Sequence, residues 1–181
     1  MIVRAATESD VPALSALATR TFVETFVDEL GVPYPQDDLA HHLEKSYGVA
    51  ATRALIEDPT LFLRVAEREP EGALVGYVLA GSCGLPHAEA DATQGELRRL
   101  YVAHEAHGGG IGGALLREAL VWLERTFGDP IWLGVWSGNH RAQAIYQRYG
   151  FHKVGEYDYP VGQWLDREHI YRREHAPALT R

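Results

Sequence analysis

Glu96-Leu97-Arg98-Arg99-Leu100-Tyr101-Val102, followed shortly by His107-Gly108-Gly109-Gly110-Ile111-Gly112-Gly113-Ala114-Leu115-Leu116, sets a strand-like run before five glycines in six positions and then an amphipathic helix. Glycine tolerates positive φ and lets a ligand approach the backbone closely. The unpaired N–H groups that open the next helix add the positive end of its dipole. Phosphate or pyrophosphate is the ligand that suits such a loop. One or two glycines before a helix serve merely to turn the chain; five exceed that need.

Gly108, Gly110 and Gly113 satisfy the dinucleotide pattern G-x-G-x-x-G. The context does not. A dinucleotide fold places this loop after its first strand and an acidic residue about 20 residues on, at the end of the second. Here the following strand, Ile131-Trp132-Leu133-Gly134-Val135-Trp136, carries no carboxylate, and Ser137-Gly138-Asn139 comes after it. A Walker loop is excluded because no Lys-Ser or Lys-Thr follows the glycines.

Two windows resemble the GCN5-related N-acetyltransferases. The family's acetyl-CoA loop, Gln/Arg-x-x-Gly-x-Gly/Ala at a helix start, corresponds to His107-Gly108-Gly109-Gly110-Ile111-Gly112, with His107 where Arg or Gln is usual. Its second hallmark, Asn-x-x-Ala-x-x-x-Tyr-x-x-x-Gly-Phe, is met at Asn139, Ala142, Tyr146, Gly150 and Phe151. Thr21-Phe22 through Thr25-Phe26, Leu133 to Trp136, and Lys153-Val154-Gly155-Glu156 extend the resemblance over nearly the whole chain, toward bacterial spermidine/spermine acetyltransferases of the PaiA type. The resemblance implies a mixed α/β (α+β) fold: a mostly antiparallel sheet of six to seven strands, flanked by helices and splayed at the acetyl-CoA strand. It implies acetyl-CoA as cosubstrate and no metal.

It also assigns roles. Leu100, Tyr101 and Val102 would offer main-chain groups to the pantetheine arm and thioester carbonyl. His107, Gly108, Gly109, Gly110, Ile111, Gly112 and Gly113 would form the phosphate loop, and Asn139 and Ala142 would complete the cosubstrate site. Tyr146 would be the general acid toward the leaving thiolate. An alkylammonium titrates near 10.4, so a base is needed at neutral pH; Glu96 is the first candidate and Glu24 the second. Glu24, Phe26, Glu29 and Tyr34, with Tyr101 and Asp158 opposite, are the expected acceptor-binding residues, and carboxylates with aromatic faces suit a polyamine. Ordinary roles compete with each of these: solvated carboxylates, a buried Tyr146, an Asn139 that merely turns the chain. An amino-acid or peptide amine as acceptor, and a noncatalytic CoA-binding sensor, are the alternative readings.

Bulk properties fit a small enzyme. The 181 residues read as one domain, 1–181, with no linker, repeat or low-complexity tract. Cys83 is the only cysteine, so no internal disulfide forms, and a reduced, cytoplasmic setting is expected. The net charge of −8 argues against nucleic acid and is compatible with a cationic substrate. No apolar run reaches membrane length, so no membrane attachment is expected; the expected assembly is a monomer or homodimer. The nine histidines show no metal-ligand spacing.

The hydropathy pattern predicts a strand at Ile2–Ala5, a capping box at Thr7 and Asp10, and a helix with the stripe Val11, Leu14, Leu17, Ala18 and Phe22. Helices are predicted near 37–47 and 49–56. A hairpin of Leu61–Glu67 and Leu74–Ala80 turns at Glu69-Pro70-Glu71-Gly72. Further predicted elements are a strand at 96–102, a helix at 112–127, a strand at 131–136, a helix at 140–149, and final strands near 151–157 and 169–173.

Overall fold

A computed structural model describes residues 1–70 and 72–174. Strands β1 (Ile2–Ala5), β2 (Phe62–Glu67), β3 (Leu74–Ser82), β4 (Gly95–Val102), β5 (Ile131–Trp136), β6 (His152–Val161) and β7 (Trp164–Arg173) form one sheet in the order β1-β2-β3-β4-β5-β7-β6. All neighbours are antiparallel except β4 and β5. This is the mixed, mostly antiparallel α/β sheet that the sequence led us to expect. No helix among the described residues is long and apolar enough to cross a membrane.

Helix α1 (Val11–Phe22) starts where the Thr7 N–H donates to Asp10 Oδ2 at 2.7 Å. The predicted stripe Val11, Leu14, Leu17, Ala18 and Phe22 is buried against the sheet. The chain does not break after Phe22. It continues as a π-helical segment, Val23–Glu29, and stops at Gly31 with φ 65°. Helices α2 (Gln36–Tyr47) and α3 (Val49–Glu57) complete that side. On the opposite face, α4 (Ile111–Thr126) buries Leu115, Leu116, Leu120 and Leu123 completely. Each contributes roughly 1.5–3 kcal/mol of gross apolar burial. The turn after β2 keeps the expected bond from Gly72 N–H to Glu69 C=O, 3.1 Å, while Glu71 lies outside the described residues.

Two departures from regular pairing build the site. Strands β4 and β5 pair only at Gly95–Ile131, Glu96–Trp132 and Leu97–Leu133, then part. Alternate N–H and C=O groups of β4 from Arg98 to Val102 therefore face a gap. A bulge also interrupts β4 against β3: Leu97 lies opposite Ala80 and Arg99 opposite Leu79, leaving Arg98 as the extra residue. Strand side chains alternate, so an inserted residue resets which face they point to. Glu96, Arg99 and Tyr101 thus share the α1/α2 side despite an odd spacing.

The last hairpin is longer than predicted. Its strands do not end at Tyr157 and resume at His169 but pair from His152–Arg172 up to Val161–Trp164, closed at Gly162 with φ 63°. Pro160 and Gly162 read as loop punctuation, and Asp166 and Glu168 break the apolar-in alternation that marks a strand. The hairpin tip docks on α2, with Gln163 N–H donating to Asp38 Oδ1 at 2.7 Å.

Candidate active site

The splay between β4 and β5 leads into two adjoining cavities. The outer groove, about 460 Å³, runs over the glycine loop and is walled by Leu100, Val102, His107, Gly108, Gly110, Ile111, Gly112 and Gly113. The inner cavity, about 160 Å³, lies on the α1/α2 side of the sheet. Both include Leu100, Tyr101, Asn139, Ala142 and Tyr146 in their walls, so chemistry that joins two ligands has one meeting point.

In the outer groove, Gly108 and Gly110 hold φ of 81° and 76°, and Gly110 is the residue that opens α4. A Cβ at either would meet nothing within 4 Å. The glycines are required by backbone conformation, and the space beside them is open for a ligand to approach the amides. Gly109 does not line the groove. Ile111 turns into the core and is 5% exposed. His107 does not stand free for a phosphate: its Nε2 lies 2.9 Å from the Val102 carbonyl and its Nδ1 3.3 Å from Arg141 Nη1. The carbonyl only accepts, so Nε2–H donates to it and Nδ1 accepts from Arg141. The ring ties the loop to β4. Positive charge comes from Arg141 and Arg148, which line the groove from helix α5 (His140–Arg148). Sequence reading missed both; their spacing of seven, two helical turns, is the signal that places them on one face.

Asn139 performs the ordinary task of its residue type, its Oδ1 capping α5 by accepting from Ala142 N–H at 3.0 Å. It nonetheless lines both cavities. Tyr146 is half-buried in the shared wall, and burial pushes its phenol up to about 12. At neutral pH it keeps its proton.

The inner cavity sorts the expected acceptor residues. Phe26 is 8% exposed and lines it, edge-on to Trp136 and Tyr101. Tyr101 lines both cavities. Glu24 is outside, accepting from His104 N–H at 3.1 Å and facing Arg20. Glu29 lies on the outer groove beside Arg141 at 3.8 Å. Tyr34 stands behind the wall and donates to Asp166 Oδ2 at 2.5 Å. Asp158 points to the other side of its strand, paired with Arg167 at 3.0 Å. Period two explains it: Asp158 faces away where Tyr157 and Tyr159 face in.

The carboxylates that do line the cavity are Glu96, Asp166 and Glu168. Glu96 Oε2 accepts from Gly84 N–H at 2.8 Å, and burial raises its pKa above the ordinary value. Asp166 is held by Tyr34 and by Trp164 Nε1–H at 3.1 Å. Glu168 is opposite Trp136 in the sheet and its carboxylate reaches over Gly134, where a Cβ would come within 2.7 Å of its Oε2, so Gly134 makes room for it. Tyr157 donates to Glu168 Oε2 at 2.9 Å. Burial, reinforced by the charges of Asp166 and Glu96, pushes Glu168 up to about 7. Sequence reading missed Asp166 and Glu168 because the strand that carries them was missed. Among the described residues no group of three or more His, Cys, Asp and Glu is placed to hold a metal ion.

A splayed parallel pair, a glycine loop opening a helix and a reaction chamber behind it define an acyl-CoA-dependent transferase. Residues 19–151 match the Acetyltransferase (GNAT) family, and the chain belongs to it. It is an N-acetyltransferase whose cosubstrate is acetyl-CoA. It is 26% identical over 155 residues to an uncharacterized N-acetyltransferase of Lactobacillus delbrueckii, covering 86% of each chain. It is 26% identical over 168 residues to one of Mycobacterium tuberculosis, covering 92% of this chain and 98% of that one. Among solved structures, the PaiA N-acetyltransferase of Thermoplasma acidophilum in complex with coenzyme A superposes with a TM-score of 0.72 at 18% identity, over 96% and 98% of the two chains. A ribosomal-protein-alanine N-acetyltransferase of Brucella melitensis superposes with a TM-score of 0.64 at 27% identity, over 97% and 100%.

Gly110→Val is expected to weaken CoA binding by at least about 10-fold, because a β-branched residue is strained by roughly 1–3 kcal/mol at positive φ and also projects into the groove. Calorimetric titration of the folded variant with CoA measures it. An affinity within about twofold of wild type, some 0.4 kcal/mol, would remove the loop from cosubstrate binding.

Proposed function

We propose that this N-acetyltransferase acetylates the primary amine of a small acceptor held in the inner cavity, with Glu168 as general base and Tyr146 as general acid. The observation that carries it is the wall common to both cavities, with Tyr146 in it and Glu168 lining the inner chamber beside it. The charge of Glu168 adds to burial in raising the Tyr146 phenol, which relates the two groups electrostatically. Acetyl-CoA supplies the thioester carbonyl; the rest is done by the protein. An ammonium gives one proton to the medium, and the free amine forms the C–N bond while its second proton passes to the Glu168 carboxylate. As the C–S bond breaks, the Tyr146 O–H protonates the sulfur and is restored from solvent. The main-chain N–H of Val102 polarises the carbonyl oxygen, since it faces the gap while the N–H groups of Tyr101 and Ala103 point to β3. Glu96 is the second base; the Gly84 N–H that it accepts stabilises its charged form and makes it the weaker proton acceptor.

A polyamine-like acceptor is supported by Glu96, Asp166 and Glu168 rather than by Glu24, Glu29 and Asp158. An amino-acid or peptide amine is the second reading, favoured by the cationic Arg99 in the same cavity. Incubating the protein with acetyl-CoA and a panel of amines, with thiol release and acceptor mass followed together, tests the transfer. Stoichiometric thiol release and acetyl gain are expected. CoA binding without transfer to any amine would leave the noncatalytic sensor.

A further inference from the structure

Within the proposed acceptor cavity, one wall does not match a polycation. Arg99 lines the chamber and is only partly exposed. Its guanidinium lies 4.5 Å from the centre of the Tyr47 ring, and one of its nitrogens donates to the Ser46 carbonyl at 3.1 Å. Other buried or half-buried guanidiniums here are matched by acid: Arg4 by Asp10 and Glu67, Arg173 by Glu124. Arg99 forms no ion pair with any carboxylate among the described residues. Tyrosines surround it instead, Tyr47, Tyr77, Tyr101 and Tyr159, neutral at physiological pH and unable to balance its charge. The uncompensated charge reaches further, since His42, lowered to about 4 chiefly by burial, is lowered next by Arg99.

Burying a cation without a counter-ion is costly, and a second ammonium placed beside it adds repulsion. A planar fork of N–H donors, steadied on an aromatic face, matches a carboxylate. The inner cavity therefore carries the unpaired cation of Arg99 on β4 together with the carboxylates Glu168 and Asp166 on β7 and Glu96 on β4.

We infer that the acceptor is a small zwitterion, an amine bearing a carboxylate on the same molecule, whose carboxylate is taken by Arg99 while its amine is presented to Glu168. This rests on the transferase reading above and narrows its substrate class to amino-acid-like amines. The cavity of about 160 Å³ favours a compact molecule over an extended one.

The test measures kcat/KM for short α- and ω-amino acids, for the amide of each, and for spermidine, with wild type, Arg99→Met and Arg99→Lys. In wild type the acid is expected to exceed its amide by roughly 10- to 100-fold, the worth of a hydrogen-bonded ion contact. Arg99→Met should abolish that ratio, and Arg99→Lys should restore part of it. A merely structural Arg99 would lower acid and amide alike and leave the ratio intact, which would overturn the assignment. Equal use of acids and amides by wild type, or a higher kcat/KM for spermidine than for every amino acid, would overturn it without any variant. Should no amine be acetylated, the transferase reading fails separately. Calorimetry with N-acetyl amino acids in the presence of CoA then decides the carboxylate site: binding lost in Arg99→Met supports it, and no binding to wild type refutes it.

Discussion

Glu168→Gln is expected to lower kcat/KM for the acceptor on the order of 10³-fold, within the range typical of a lost general base. The amide keeps the size and the acceptor for the Tyr157 hydroxyl but takes no proton. Wild-type kcat/KM should rise with pH through about 7, because only the carboxylate form of Glu168 works as base. With both profiles expressed per free amine, whose fraction itself rises with pH below about 10.4, the variant should lose that limb. Stability should move the opposite way. The folded pKa of Glu168 lies above its unfolded value near 4.3, so its ionisation opposes folding progressively as pH rises through about 7. At pH 8 Glu168→Gln should therefore be more stable than wild type, by up to about 3 kcal/mol. A gain in stability with a loss of rate distinguishes a catalytic group from a structural one. A flat wild-type profile between pH 6 and 8, or an unimpaired variant, would return the base role to Glu96.

Tyr146→Phe should reduce turnover on the order of 10²-fold while leaving CoA affinity within about twofold. The ring remains in the shared wall, and only the proton donor is removed. Because the phenol is pushed up to about 12, chiefly by burial, it stays protonated through the neutral range and cannot act there as a base. Its loss should depress the rate across that range without adding a limb near 7. Single-turnover kinetics, read beside a direct binding measurement, separate chemistry from product release. Equal rates for the two proteins would remove Tyr146 from the acid role.

Asp158 and Glu168 show how far a linear reading goes. Both are carboxylates near the acceptor mouth, yet the linear pattern points to Asp158 and not to Glu168. The choice depends on strand limits, and Pro160 and Gly162 hide them. Once β6 and β7 pair from His152–Arg172 to Val161–Trp164, alternation turns Asp158 outward to Arg167 and brings Glu168 in beside Tyr157. His107 carries the same lesson at the cosubstrate groove. Its place in the motif marks a phosphate ligand, but the fold gives both ring nitrogens to Val102 and Arg141.

What the sequence determined alone is local. Stripes at helical spacing fixed α1 and α4, short runs rich in apolar residues fixed β2 to β5, and the glycines before α4 specified a positive-φ loop, because each depends on neighbours a few residues apart. The Asn139–Phe151 motif likewise specified α5 and the tyrosine in its last turn. What only the tertiary structure decided is which distant side chains share a cavity. The bulge at Arg98 puts Glu96, Arg99 and Tyr101 on one face, and the parting of β4 from β5 opens backbone groups to a ligand. The antiparallel return of β7 sets Glu168 in the chamber wall that Tyr146 also lines. Register and splay arise from pairing across the sheet between segments tens of residues apart, and that pairing, unlike local periodicity, leaves no mark in any single stretch of the chain.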